Sequence, residues 1–341
     1  MKKLEDRNFP LAYGVRSKDK EILNSSSSGG FFSELANHLL KKNVKIYGCI
    51  LDENLEAIHI RGKNKEDIKK MRTSKYVESN LGNIFKYIRK DLNEGNKVLV
   101  VSSPCYVNAI KKFLNMNELE QVILVDFLCH GMPDKKIFKE HIKSIENYYS
   151  SEVKFYSFRD KRYGWNHDEY ALLANGKKVQ SPKIVHRYKR LFYSNYSLIS
   201  RCFKCKYTTK NRGTDFTIAD FWGIEKVLGI VDNKGMSAVM INTKKAFNIF
   251  RDIEPFLESY QVNLDDFKHG PLHHPTEKPK DYNEFWEEFE ERGYLYVAEK
   301  YAPLNKKILI STYRRRIAAL LRIENLLFWL KYKIIERGTK T

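Results

Sequence analysis

No stretch of the 341 residues runs through roughly 18 uncharged apolar positions, the length a membrane-crossing helix needs. The first ten residues, MKKLEDRNFP, lack the apolar core of a signal peptide. Both absences lead us to expect a cytoplasmic chain that does not span a membrane. Cysteine is scarce. The five present, Cys49, Cys105, Cys129, Cys202 and Cys205, are an odd number without an export signal, which argues against a disulfide framework and leaves metal or redox chemistry. Acidic residues are outnumbered, 42 Asp+Glu against 61 Lys+Arg, and the formal charge of +19 favours nucleic acid, phosphate-bearing cofactors or an anionic membrane surface as partners. No nucleic-acid module or interleaved basic and aromatic repeat accompanies that charge, so no specific nucleic-acid contact is expected. There is no internal repeat, no low-complexity stretch beyond four serines, and neither a Walker loop nor a dinucleotide fingerprint.

What is there is the composition of a globular protein, 42% hydrophobic and 13% aromatic, sufficient for one large domain or two smaller ones. Residues 97–102 (KVLVVS) form a β-branched apolar run. Val107, Ile110, Phe113 and Leu114 then repeat at helical spacing, and 121–127 (QVILVDF) reads as a second strand. This pattern predicts a βαβ unit. Parallel strands would place both carboxyl ends on one sheet edge, with Cys105 just past the first and Cys129 just past the second. The sequence RCFKC adds Cys202 and Cys205 among Arg201, Lys204 and Lys206, and nearby cations favour thiolate. Folded over the same edge, the four thiols could hold a 4Fe–4S cluster or zinc, the latter with four cysteines or three plus His130, or they could hold no metal. Cys49, within IYGCI, reads as a buried small hydrophobe.

Near the N-terminus, SSSSGGFFSELANHLL predicts a helix beginning just after Gly30. Its preceding serines and glycines suit a phosphate at the helix N-terminus, against the plainer reading of a capped turn. Ser74, Lys75 and Tyr76 offer a hydroxyl, a cation and an aromatic face in a polar loop. Asp220 and Trp222 of TDFTIADFWGI are more ordinarily a satisfied carboxylate and a buried aromatic than pocket walls. Beyond about residue 245 the pattern is mainly helical, with a proline-interrupted loop carrying His269, His273 and His274. From Ser311 to Thr341 there are eight Lys/Arg, two Glu and apolar residues including Leu320, Leu321, Ile323, Leu327, Phe328 and Trp329. This is either a terminal helix packed on its own domain or a peripheral contact at the inner face of an anionic membrane.

In order along the chain, SSSSGGFFSELA, IYGCILD, SKYVESNLG, VLVVSSPCYV, VDFLCHGMP, FRDKRYGW, RCFKC, RGTDFTIADFWGI and GMSAVMINT resemble the coenzyme F420 hydrogenase/dehydrogenase beta-subunit family, over about residues 13 to 250. The resemblance implies an α/β fold with a mixed or parallel sheet, flanking helices, a βαβ unit carrying cluster cysteines and a helical C-terminal extension. It implies a flavin-side region at 13–95, a cluster-binding region at 96–250 and the extension at 251–341. It further implies FAD held by Ser27, Ser28, Gly29, Gly30, Ser74, Lys75 and Tyr76. A 4Fe–4S cluster on Cys105, Cys129, Cys202 and Cys205 follows from the same resemblance, with His130 as a candidate proton donor.

The cluster would relay electrons to or from FAD. The preferred substrate is a saccharide intermediate of surface-polysaccharide synthesis. The alternatives are a deazaflavin-dependent reductase or electron-transfer subunit, and a non-catalytic zinc-stabilised binding module. Two departures stand out. The family's frequent Gly-Thr-Pro-Cys-Gln is here Ser102-Ser103-Pro104-Cys105-Tyr106, and no cysteine precedes Cys49 to form the ferredoxin-like domain with which many members begin. An external donor is therefore expected, such as ferredoxin or a reduced deazaflavin.

Overall fold

The computed structural model describes residues 8–166 and 168–323, together with 325, 326 and 329. In chain order the elements are β1 (Leu11–Ser17), α1 (Lys20–Ser25), α2 (Phe31–Lys41), β2 (Lys45–Leu51), β3 (Ala57–Gly62), α3 (Lys65–Met71), α4 (Ile84–Asn93), β4 (Val98–Val101), α5 (Pro104–Phe113), α6 (Met116–Glu120) and β5 (Val122–Phe127). There follow α7 (Lys135–Tyr149), β6 (Val153–Ser157), β7 (Tyr170–Leu173), β8 (Lys178–Val179), α8 (Arg187–Tyr193), β9 (Phe216–Asp220), α9 (Ile224–Val227), β10 (Ser237–Ile241), α10 (Lys244–Ile253), β11 (Leu257–Val262), α11 (Tyr282–Tyr301) and α12 (Lys306–Leu320).

Eight strands form a mixed sheet in the order β11-β1-β10-β9-β5-β4-β2-β3. Its middle, β2-β4-β5-β9, is parallel, and both flanks are antiparallel. The parallel strands VLVV and VILVDF are apolar almost throughout because helices cover both faces. Side chains alternate between those faces. Ile46, Leu99 and Ile123 pack under Phe31, Leu35 and Phe250 of α2 and α10, whereas Tyr47, Val98 and Val122 pack against Ile84 and Ile88 of α4 and Val107 and Ile110 of α5. The expected βαβ unit is present as β4-α5-β5, with Val98 to Val101 in parallel register with Val122 to Val125. It sets the ends of β4 and β5 on the same sheet edge as the end of β9, where Asp220 sits.

A second, three-stranded sheet, β6-β7-β8, shares a core with α7, α8 and α11. Sequence reading missed it because its strands are short and the apolar pattern is interrupted by charged turns. The region beyond residue 245 also contains a strand: β11 pairs with β1 from Ala12↔Val262 to Ser17↔Leu257. Its edge position leaves Tyr260 and Gln261 exposed, which blurs the alternation. The central sheet thus draws strands from all three spans 13–95, 96–250 and 251–341. From Tyr282 onward the described chain is helical apart from connections. Leu327 and Phe328, with 330–341, lie outside the described residues. Among the described residues, no helix is long and apolar enough to cross a membrane.

Candidate functional site

The carboxyl edge of the parallel strands opens into a cavity of about 480 Å³. Its wall comes from the Ser26–Ser28 loop and Gly30, the Met71–Val77 loop, the ends of β4, β5 and β9, and Phe192 and Tyr193 of α8. Phe127, Tyr193 and Trp222 line it although they are at least one-third exposed. Trp222 stacks on Trp165 at 4.1 Å and 14°, leaving its other face free of that contact.

The Gly/Ser loop is stitched tightly to the sheet. The Ser17 amide donates to the Gly29 carbonyl at 2.7 Å, the Gly29 amide to Ser237 Oγ at 2.9 Å, and Ser28 Oγ to the Met236 carbonyl at 2.7 Å. A Cβ at position 29 would stand 2.2 Å from the Val15 carbonyl oxygen, so glycine here allows strand contact. Gly30, at φ 89°, turns the chain into α2, whose first turn carries no side-chain cap. The start of the helix therefore has no side-chain acceptor for its leading amides, and Gly30, Phe31 and Phe32 all line the cavity.

The two loops expected to lie together do so. Ser27 Oγ accepts from the Ser74 amide at 2.9 Å. The residue that joins them was missed by sequence reading: Arg159, in the loop after β6, buried at 5% exposure. It donates to the Ser27 carbonyl at 2.8 Å, the Tyr76 hydroxyl at 3.0 Å and Asp220 Oδ2 at 2.8 Å. Burial opposes its charge, but Asp220 and Tyr76 raise its pKa overall. The clue was FRDKRYGW, where charge concentrates between aromatics. Lys161 of the same loop donates to the Leu23 and Lys234 carbonyls at 2.7 and 2.8 Å and to that of Ser28, and burial brings its pKa down to about 7. Asp220 also accepts from Trp165 Nε1 at 3.2 Å. Asp220 is a satisfied carboxylate, as expected, yet it and Trp222 line the cavity; stacking on Trp165 replaces full burial for Trp222.

Lys75 is held with its Nζ against the Lys70 carbonyl, and burial lowers its pKa to about 8. Cys49, expected to be buried in a strand, sits on β2 only half-buried and lines the same cavity. Burial pushes its thiol up, partly offset by Lys75.

The other four thiols are near enough for Cys202, Cys105 and Cys205 to act on Cys129. Cys105 occupies the second position of α5, and its Sγ lies 3.3 Å from Ser103 Oγ. Cys129 follows β5. Cys202 lies within a short turn, Ser200–Lys204, and Cys205 follows it; the segment is laced to the post-β5 loop by Ile199 N–H to the Met132 carbonyl at 2.9 Å and Asp134 N–H to the Ser197 carbonyl at 2.8 Å. Met132 N–H donates to Cys202 Sγ at 3.3 Å. Burial raises the Cys129 pKa, and the neighbouring thiols of Cys202, Cys105 and Cys205 add to it while the Gly131 amide opposes. Cys202 is pushed up to about 11 by burial, with Cys105 and Cys205 contributing. Cys129 also lines the cavity. Among the described residues no group of three or more His, Cys, Asp or Glu is placed to hold a metal ion, neither Cys105, Cys129, Cys202 and Cys205 nor His269, His273 and His274.

His130 lies beside the cavity with Nε2 2.8 Å from Asn195 Oδ1 and Nδ1 3.5 Å from the Thr276 hydroxyl. Burial lowers its pKa, so the ring is neutral near pH 7.

No curated protein matches the chain. Among solved structures, a chain of the F420-reducing [NiFe] hydrogenase complex from Methanosarcina barkeri is similar, at 19% identity and a TM-score of 0.53, covering 76% of this chain and 84% of its own. That likeness is one of fold. Residues 95–263, which contain the βαβ unit, Cys105, Cys129, Cys202 and Cys205, and β9 to β11, match the family model for the C terminus of the coenzyme F420 hydrogenase/dehydrogenase beta subunit. Over that segment the chain belongs to the coenzyme F420 hydrogenase/dehydrogenase beta-subunit family.

Proposed function

We propose that the chain is a flavin- and iron–sulfur-dependent oxidoreductase whose cavity takes FAD and whose Cys105, Cys129, Cys202 and Cys205 take a 4Fe–4S cluster. The observation that carries this reading is Cys129, which lines the cavity and is acted on by the other three thiols. A planar ring system fits the cavity's exposed aromatic walls, and a phosphate fits the uncapped start of α2. Four soft donors with backbone amides on the sulfurs of Cys129 and Cys202 fit an iron–sulfur group, since such donors stabilise thiolate charge. When bound, the two groups would supply single-electron and hydride chemistry. The chain's own work is positional. Arg159 fixes Ser27, Tyr76 and Asp220 around the cavity, and the backbone lacing of 129–134 to 197–202 fixes the thiols. With its ring nitrogens at Asn195 and Thr276, His130 acts as a positioning residue for the Cys129 turn.

Our preferred substrate remains a saccharide intermediate of surface-polysaccharide synthesis, with ferredoxin or reduced deazaflavin as donor. The test is iron content after anaerobic purification. Serine at Cys105, Cys129, Cys202 or Cys205 should each remove most of the iron, while Cys49→Ser retains it. Equal iron in all five variants would overturn the ligand assignment.

The far end of the chain supports peripheral contact with an anionic bilayer. α12 turns Thr312 and Ala318 inward, and Arg315 pairs with Asp168 Oδ1 at 2.7 Å. Ile310, Tyr313, Ile317, Leu320 and Leu321 face outward, each about half exposed or more. Residues 306–323 contain six Lys/Arg and no acidic residue, which is the charge an anionic lipid surface complements.

A further inference from the structure

At the end of the cavity nearest β2 and β3, His59 and Ser102 stand outside the residues assigned to FAD and share the wall with one that is among them, Lys75. Cys49 and His59 are direct cross-strand partners in the β2–β3 ladder, and both line the cavity. His59 is 8% exposed. Its Nε2 lies 2.8 Å from Ser102 Oγ, and its Nδ1 is buried without a hydrogen-bond partner. An unmade hydrogen bond on a buried nitrogen is costly unless something else fills it. Lys75 stands close enough to depress the His59 pKa further after burial has lowered it. No carboxylate is among the groups that act on Lys75.

The hydrogen-bond logic selects one kind of ligand. If the Ser102 hydroxyl donates to Nε2, the neutral imidazole carries its proton on Nδ1, leaving a donor without an acceptor in a residue of the cavity wall. Lys75 adds a cationic donor. A site made of donors, with a half-buried cation on which no carboxylate acts, complements an oxyanion. Ser102 and Tyr106, two of the positions where this chain departs from the family's frequent Gly-Thr-Pro-Cys-Gln, both touch His59, the second by an edge contact at 6.0 Å between ring centroids.

We infer that the His59–Lys75 end of the cavity is a subsite for an oxyanion, carboxylate or phosphate, of the organic substrate. This rests on the reading of the cavity as a redox site, and it narrows the substrate to one that carries a negative charge within reach of β3.

The test is calorimetric titration of the FAD-supplemented chain with inorganic phosphate and, separately, with acetate, so that the start of α2 is already filled. Flavin and iron contents are measured on the same samples. Wild-type protein should bind one of the two anions, and which one identifies the oxyanion. His59→Leu and Lys75→Met should each weaken it about tenfold or more, the factor expected for a charge-assisted hydrogen bond. His59→Gln, which keeps a donor, should stay within about threefold of wild type. Circular dichroism and Tm establish that each variant is folded, and Lys75→Met serves should His59→Leu fail to fold. Undiminished binding in folded His59→Leu or Lys75→Met overturns the subsite, as does no binding of either anion to wild type. Anion binding that depends on His59 and Lys75 in a chain holding no flavin would uphold the subsite while refuting the redox reading.

Discussion

Arg159 and Gly29 are single residues on which the cavity depends in different ways. Arg159 is a buried cation whose partners Ser27, Tyr76 and Asp220 come from three separate segments, so replacing it by Met strands Asp220 and the Ser27 carbonyl. Breaking a buried pair from one side costs about 3–5 kcal/mol. Arg159→Met should therefore lower stability by about 3 kcal/mol in urea denaturation and abolish flavin retention. Arg159→Lys should rescue little, because one ammonium cannot reach Ser27, Tyr76 and Asp220 together. At Gly29 the obstacle is backbone, the Val15 carbonyl and the Ser237 amide, neither of which can swing aside. Gly29→Ala should destabilise by about 3 kcal/mol, measured the same way. His130→Ala, by contrast, should reduce iron retention and leave the pH dependence of activity unmoved, which distinguishes positioning from proton donation.

Among the elements, those with strong local periodicity were legible and those built by long-range pairing were not. The β-branched runs at 98–101 and 122–127 and the apolar spacing between them announced β4-α5-β5, and with it the placing of Cys105 and Cys129 just past two neighbouring parallel strands. Likewise Gly30 and the Phe31–Leu40 pattern announced α2. β11 was hidden because an edge strand with exposed residues has no clean alternation, and β6 to β8 because five-, four- and two-residue strands carry too little pattern. Arg159 and His59 were hidden for a further reason: what makes them notable is their partners, 132 and 43 residues away in sequence. α12 illustrates the opposite case, a helix foreseen from sequence whose outward apolar face only the structure reveals. Ile310→Asp with Ile317→Asp should abolish sedimentation with phosphatidylglycerol vesicles and leave Tm within about a degree, since both positions are exposed. Unchanged sedimentation, or a wild-type dimer that dissociates in the double variant without any vesicle binding, would refute the membrane assignment.

Taken as a whole, the molecule is strongly basic yet buries several histidines as neutral rings. Burial lowers the pKa of His59 to about 4 and of His186 to about 3, and that of His141 falls well below its ordinary value. On unfolding each ring returns to about 6.5 and takes up a proton below that pH. Their contribution is therefore intact above pH 6.5 and is lost as pH falls from there towards the folded values, by up to about 1.4 kcal/mol per pH unit for each ring. Tm of the chain should decline steadily from pH 7 to pH 5, and a flat profile would contradict the neutral burial of these histidines. The same whole-molecule view unites cavity and thiol site through Cys129, and this union is what most needs testing. An absorption spectrum of protein purified without oxygen, with iron, sulfide, zinc and flavin determined on the same sample, does so most directly. The account predicts flavin bands together with about four irons and four sulfides per chain, whereas a colourless protein holding one zinc and no flavin after attempted reconstitution would contradict it.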